Sequence, residues 1–205
     1  MVSDSIRLVI ADDQALVRGA LAALLELEGD LVVVGAAADG DEAVRLVREH
    51  APDVCLMDIQ MPGTDGIDAT TRIREASPGT RVLIVTTFAR PGYLRQALDA
   101  GASGFVVKDT PAEQLADAVR RVHAGYRVVD PALAEESLFT GTSPFSERER
   151  QVLRLAADGR SAAAIASEVF LSPGTVRNHL SSAIGKTGAA NRAQAVRIAQ
   201  DNGWI

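Results

Sequence analysis

Asp12 and Asp13 end one apolar run of the chain, Asp58 ends a second, Thr86 ends a third, and Lys108 follows a fourth. Drawn to one edge of a fold, these residues would gather three carboxylates, a hydroxyl and an ammonium. Crowded carboxylates call for a hard cation. Mg²⁺ fits, because it takes octahedral oxygen ligands, keeps several waters and accepts carboxylates together with phosphate oxygens. Beside such an ion a carboxylate can accept a phosphoryl group, provided the charge of the transition state is neutralised. Asp58 is the expected acceptor. Asp13 and Asp58 are expected as direct metal ligands, Asp12 directly or through water, and the backbone carbonyl of Gln60 as the remaining protein ligand. Lys108 would pair with the phosphoryl oxygens, and the Thr86 hydroxyl would donate to one of them. Singly these residues say little: an Asp-Asp pair after a strand is commonly a helix cap, and a lone Lys or Thr there an ordinary surface or edge residue. Their joint order at successive strand ends points to a phosphoryl site.

The elements that must position them alternate. Apolar runs over Ile6–Ala11, Leu31–Val34, Val54–Met57, Arg81–Val85 and Phe105–Val107 read as strands. Between and after them, Ala15–Leu27 (apolar at Leu16, Ala20, Leu24 and Leu27), Asp41–Glu49, Ile67–Glu75, Tyr93–Ala100 and a segment opened by Pro111 and ending near Ala124 carry helical spacing. Short apolar strands alternating with amphipathic helices imply a five-stranded parallel sheet covered on both faces, a doubly wound domain over residues 1–125. Ligand sites in such sheets lie at the carboxyl ends of the strands, where all five chemical residues fall.

From Gly125 to Ser143 the periodicity dissolves, so residues 126–143 read as a linker with one helical turn around Leu133–Leu138. Residues 144–205 read as four helices: one capped by Ser146 with Glu149 three residues on and ended by Gly159, then Ser161–Val169, then one opened by Ser172-Pro173 and running to about Lys186, then Ala193–Asp201.

Composition bounds the function. The chain has 205 residues, 47% of them hydrophobic and 23% charged, which suits a folded globular protein. No apolar stretch is long enough to span a membrane, and the N-terminal residues lack a secretory pattern, so a cytoplasmic protein without membrane association is expected. The lone Cys55 reads as a small buried hydrophobe. The net charge of -6 is uneven: residues 1–130 hold 20 acidic and 13 basic side chains, residues 143–205 hold 5 and 8. The second part therefore remains open to nucleic acid although the whole chain is acidic.

These motifs carry a resemblance. Asp12-Asp13, Asp58 within Met57-Asp58-Ile59-Gln60-Met61-Pro62-Gly63, Thr86 and Lys108 resemble, in order and spacing, the receiver domain of bacterial two-component response regulators. The resemblance implies a flavodoxin-like receiver whose Asp58 takes a phosphoryl group from a sensor histidine kinase. It also implies that Thr86 and Phe105 form a switch pair, with a plain core strand residue as the alternative reading of Phe105. Asp109 stands where many receivers have proline after the lysine, which puts the usual cis bond in doubt. Residues 144–205, with Ser146-Glu147-Arg148-Glu149, Thr175-Val176-Arg177 and Asn191-Arg192, are similar to the helix-turn-helix domain of the LuxR/NarL class. By position Arg177, Asn178 and Ser181 face bases of double-stranded DNA, while Thr175, His179 and Lys186 contact its backbone. His179 has an alternative reading as a surface residue. Val176, Leu180 and Ile184 are expected in the core, and Trp204 under the last helix. Ala162-Ala163-Ala164 is less polar than the family's usual version.

Thr86–Tyr93, Gly174–Asn178 and Gly203-Trp204 further resemble the DesR-type branch, which controls membrane-lipid desaturation with a thermosensing kinase. That circuit does not transfer with the likeness, because similar receivers serve unrelated pathways. A single helix-turn-helix binds modestly, so a homodimer when phosphorylated is expected, formed through the first and fifth receiver helices with the C-terminal helix assisting on DNA. Two alternatives stand beside it. One is a transcription factor whose receiver acts without phosphorylation. The other is an aspartate-based phosphatase, which needs a second Asp two residues after the first; Gln60 occupies that position, so a turnover enzyme is not expected.

Overall fold

The computed structural model describes residues 5–87, 91–131, 133–134 and 143–205. Most of the expected turn over Leu133–Leu138 lies outside these residues, as do Phe88, Ala89 and Arg90. The chain divides into two compact units, the first of which extends through Ala134.

The first unit has the element order β1 Ile6–Ala11, α1 Ala15–Glu26, β2 Leu31–Ala37, α2 Gly40–His50, β3 Val54–Met57, α3 Gly66–Ala76, β4 Arg81–Thr86, α4 Pro91–Asp99, β5 Gly104–Val107, α5 Ala112–His123 and β6 Val128–Val129. All strands are parallel, in the order β2-β1-β3-β4-β5-β6. Leu8, Ile10, Leu56, Leu83, Val85 and Val106 from the strands meet Leu115, Val119 and Val122 of α5 in one core. Central strands buried on both faces favour continuous apolar runs, which is why β3 and the Val82–Val85 stretch of β4 read as unbroken.

Two expectations for this unit are corrected. Among the described residues the sheet has six strands, not five: Val128–Val129, within the segment read as linker, pairs in register with Gly104–Phe105. Two valines are too short a run to signal a strand by periodicity, and the edge of β5 supplies the pairing. Pro111 is the N-cap of α5, with extended ψ of 145°, and not its first helical residue. On α1, the stripe Leu16-Ala20-Leu24-Leu27 is the outward face: Leu16 is 87% exposed and Leu27 82%. The buried side is Leu25, with Leu21 and Ala22 packed on the core. Ala15–Glu26 is apolar almost all round, so spacing alone could not say which stripe faces inward. Among the described residues no peptide bond is cis, that before Asp109 included.

The second unit holds α6 Glu147–Ala157, α7 Ala162–Glu168, α8 Pro173–Thr187 and α9 Arg192–Asp201. Each helix starts at a side-chain cap: Ser146, Ser161, Ser172 and Asn191 all accept a backbone N–H, satisfying donors that a helix start leaves unpaired. Val152, Leu153, Ile165, Val176, Leu180 and Ala183 form the core. Ile184, expected with them, is half-buried. Trp204 packs edge-on against Phe145, with ring centroids 5.6 Å apart.

Candidate phosphoryl site and nucleic-acid interface

The carboxyl ends of β1 and β3 bring the acidic residues together. The Asp12 N–H donates to the Ala37 carbonyl and the Asp58 N–H to the Ala11 carbonyl, so both residues continue the sheet ladder one step past their strands. The loop after Asp58 then folds back closely. A Cβ on Gly66 would lie 1.9 Å from the Asp58 carbonyl oxygen, so only glycine can stand there. Asp12 and Asp58 are buried, at 1% and 4% exposure, while Asp13 is exposed.

Carboxylate oxygens of Asp12, Asp13 and Asp58 lie within 4.8 Å of one another. Opposite ligands of an octahedral Mg²⁺ are about 4.2 Å apart, so side-chain adjustment alone would let these hard oxygens share an ion. Lys108 Nζ lies 2.7 Å from Asp12 Oδ2 and 2.8 Å from Asp58 Oδ2, bridging the two. The remaining oxygens are also engaged: Asp12 Oδ1 accepts the Gln14 N–H at 2.9 Å and Asp58 Oδ1 the Ile59 N–H at 2.8 Å. Burial works against the Lys108 charge, but hydrogen bonds and attraction from Asp12 and Asp58 outweigh it and raise its pKa. The ammonium is therefore fixed as a cation between two buried carboxyl groups.

Thr86 ends β4, fully buried, and its carbonyl accepts the Lys108 N–H at 2.9 Å. Phe105 is also fully buried, opposite Ile84 of β4. Gln60 is an exposed loop residue two positions after Asp58. Arg18, which sequence reasoning did not single out, donates from Nη1 to the Asp12 carbonyl at 2.5 Å and so braces the loop that carries Asp12 and Asp13. Its place one turn after Gln14 on α1 is the only signal that could have found it. The Cys55 thiol is buried, which pushes its pKa up to about 12 and leaves it unreactive.

On α8, Arg177, Asn178 and Ser181 are exposed, and Thr175 and His179 are half-buried beside them. Thr175 is drawn into the cap, its hydroxyl 2.8 Å from Ser172 Oγ. Lys186 differs from a free phosphate contact: its Nζ lies 2.6 Å from Glu149 Oε2. Ser182 Oγ donates to Glu149 Oε1 at 2.6 Å, and the Ser146 N–H donates to Oε2 at 2.6 Å. Burial raises the Glu149 pKa, but Lys186, Ser182 and Ser146 overcome it and bring the value down to about 2. Local spacing marks Glu149 only as a capping residue, since nothing in it links Glu149 to α8.

Residues 8–120 match the response regulator receiver domain family, and residues 143–199 match the bacterial regulatory proteins of the luxR family. The chain belongs to the NarL/FixJ family of response regulators. It is 43% identical over 200 residues to the transcriptional regulatory protein DesR of Bacillus subtilis (strain 168), covering 98% of this chain and 99% of that protein. The crystal structure of the response regulator ChrA, from a heme-sensing two-component system, is similar with a TM-score of 0.60 and 35% identity, over 98% of this chain and 100% of ChrA. The RcsB–DNA complex matches with a TM-score of 0.68 and 26% identity, over 96% of this chain and 98% of RcsB. This regulator is thus a DNA-binding transcriptional response regulator of a two-component system, in a family of regulators and not of turnover enzymes. Among the described residues no helix is long and apolar enough to cross a membrane.

Proposed function

We propose that Asp58 is the phosphoryl acceptor through which a sensor histidine kinase sets the DNA affinity of this regulator. The observation that carries this reading is the Lys108 ammonium bridging Asp12 and Asp58, with the exposed Asp13 carboxylate beside them. In the transfer, the P–N bond to the kinase histidine breaks as the P–O bond to the Asp58 carboxylate forms. Mg²⁺, held by Asp12, Asp13, Asp58 and the Gln60 carbonyl, would neutralise charge on the phosphoryl oxygens. Lys108 pairs with one phosphoryl oxygen, and the Thr86 hydroxyl donates to another. Phe105 moves with Thr86 as the switch pair. Gain and loss of the group are assisted by these same residues, without turnover of a separate substrate.

The output is a homodimer on double-stranded DNA. A single helix-turn-helix binds modestly, and paired half-sites multiply its affinity. The outward apolar stripe of α1, with Leu16 and Leu27 almost fully exposed, supports a dimer face on α1 and α5. Arg177, Asn178 and Ser181 read bases, while Thr175 and His179 contact the DNA backbone. Lys186 keeps donors for a phosphate beyond its bond to Glu149, since an ammonium has three. A cytoplasmic location follows from the kinase and DNA partners.

Intact-protein mass after incubation with acetyl phosphate and Mg²⁺ tests the acceptor. The wild type gains about 80 Da, the mass of one acyl phosphate, and Asp58→Asn gains none. An adduct of equal yield in Asp58→Asn would place the acceptor elsewhere.

A further inference from the structure

The segment that leaves the receiver unit is part of its sheet. β6 runs parallel to β5, with Val128 opposite Gly104 and Val129 opposite Phe105. The Val128 N–H donates to the Ser103 carbonyl at 3.2 Å, and the Asp130 N–H donates to the Phe105 carbonyl at 3.3 Å. Both bonds are at the long end of the normal range, and a two-residue strand is shorter than strands usually are. By contrast, β4 pairs with β5 along the whole of Gly104–Val107. A shift of the β5 backbone therefore strains the β6 side first.

Three further features fit a strand that docks and releases. A Cβ on Gly104 would lie 2.8 Å from the Val128 carbonyl oxygen and 2.7 Å from Leu83 Cδ1, so the close approach of β6 depends on glycine. A cleft of about 490 Å³, lined by Val106, Thr110, Gln114, Ala118, Val129 and Pro131 among others, runs between α5 and β6 and leaves the strand room to move. Beyond the strand, the Asp130 carbonyl accepts the Ala134 N–H at 2.9 Å and its Oδ1 accepts the Leu133 N–H at 3.4 Å. Asp130 thus joins the bond to Phe105 to the start of the chain that leads onward.

We infer that β6 is the transmission element of the regulator: a short strand zipped to the backbone of Phe105, and released when Phe105 moves. Release frees the connecting chain, so the state of the acceptor site reaches the DNA-binding unit through covalent connection. This rests on the reading of Asp58 as acceptor and of Phe105 as its switch residue.

Hydrogen exchange of the full-length protein tests it, with and without acetyl phosphate and Mg²⁺, intact mass being read on the same samples. Peptides spanning 126–131 are expected to exchange about tenfold faster once the adduct forms, with no change in Asp58→Asn. A second arm uses Val128→Pro, which removes the N–H donated to Ser103, and a DNA fragment selected from a random-sequence pool by the phosphorylated wild type. The variant is expected to bind this DNA without phosphoryl donor about tenfold more tightly than the wild type does. Full adduct with unchanged exchange over 126–131 would overturn the transmission role while leaving the acceptor reading intact, as would wild-type DNA affinity in a folded Val128→Pro. Absence of adduct would overturn both.

Discussion

Lys186 Nζ lies 2.6 Å from Oε2 of Glu149, thirty-seven residues earlier in the chain. One carboxylate thereby closes the capping box of α6 and anchors the far end of α8, the helix whose exposed face carries Arg177, Asn178 and Ser181. Glu149→Gln keeps a capping acceptor but loses the charge that holds Lys186. It should destabilise the DNA-binding unit by about 1–2 kcal/mol, the range of a charge-assisted bond with one partly exposed partner. Urea unfolding followed by fluorescence of Trp204, the one tryptophan of the chain, reads that unit. An unchanged midpoint would remove Glu149 from its stability.

The same carboxylate sets a pH dependence. Its pKa falls from the ordinary 4.5 to about 2 on folding. A depressed folded value means that the contribution is fully present above the unfolded pKa and is lost as pH falls through the folded one. The stability gap between wild type and Glu149→Gln should therefore be constant above pH 4.5 and should narrow towards pH 2. A gap that persists at pH 2 would mean that the ion pair is not its source.

Lys108→Ala should leave Asp12 and Asp58 buried without their counter-charge. Removing one partner of a buried ion pair costs about 3–5 kcal/mol, so the receiver should unfold at markedly lower denaturant. Mg²⁺ can replace the missing charge, and the rise in melting temperature on adding it should be larger in the variant than in the wild type. Equal rises would mean that the ion and the ammonium do not share the same carboxylates.

Leu16→Asp and Leu27→Asp change residues that are 87% and 82% exposed. Each should leave receiver stability within about 0.5 kcal/mol of the wild type. Each should also abolish the increase in mass that sedimentation velocity detects on phosphorylation. Full dimer formation by both variants would move the interface away from α1.

The parts of the fold that were legible in the sequence are those in which local pattern and tertiary role coincide. Val54–Met57 is apolar throughout because both faces of β3 are covered, and the order Asp12-Asp13, Asp58, Thr86, Lys108 follows from parallel strands presenting their carboxyl ends to one edge. The caps at Ser146 and Ser172 were legible because their bonds are local. What escaped was decided by distant partners. Val128–Val129 is a strand only because β5 offers an edge, Glu149 meets Lys186 only once the helices pack, and Arg18 reaches Asp12 only through the geometry of the loop. The stripe on α1 was visible, but a helix apolar on nearly every side does not declare which face packs on the sheet and which stays exposed.

Whether the chemistry at Asp58 sets DNA affinity is read by fluorescence anisotropy on the DNA fragment selected by the phosphorylated protein. With acetyl phosphate and Mg²⁺ the wild type should bind at least about tenfold more tightly than without, a typical coupling between two sites, and Asp58→Asn should not respond. Equal affinity of the wild type with and without a confirmed adduct on Asp58 would mean that Asp58 does not control DNA binding.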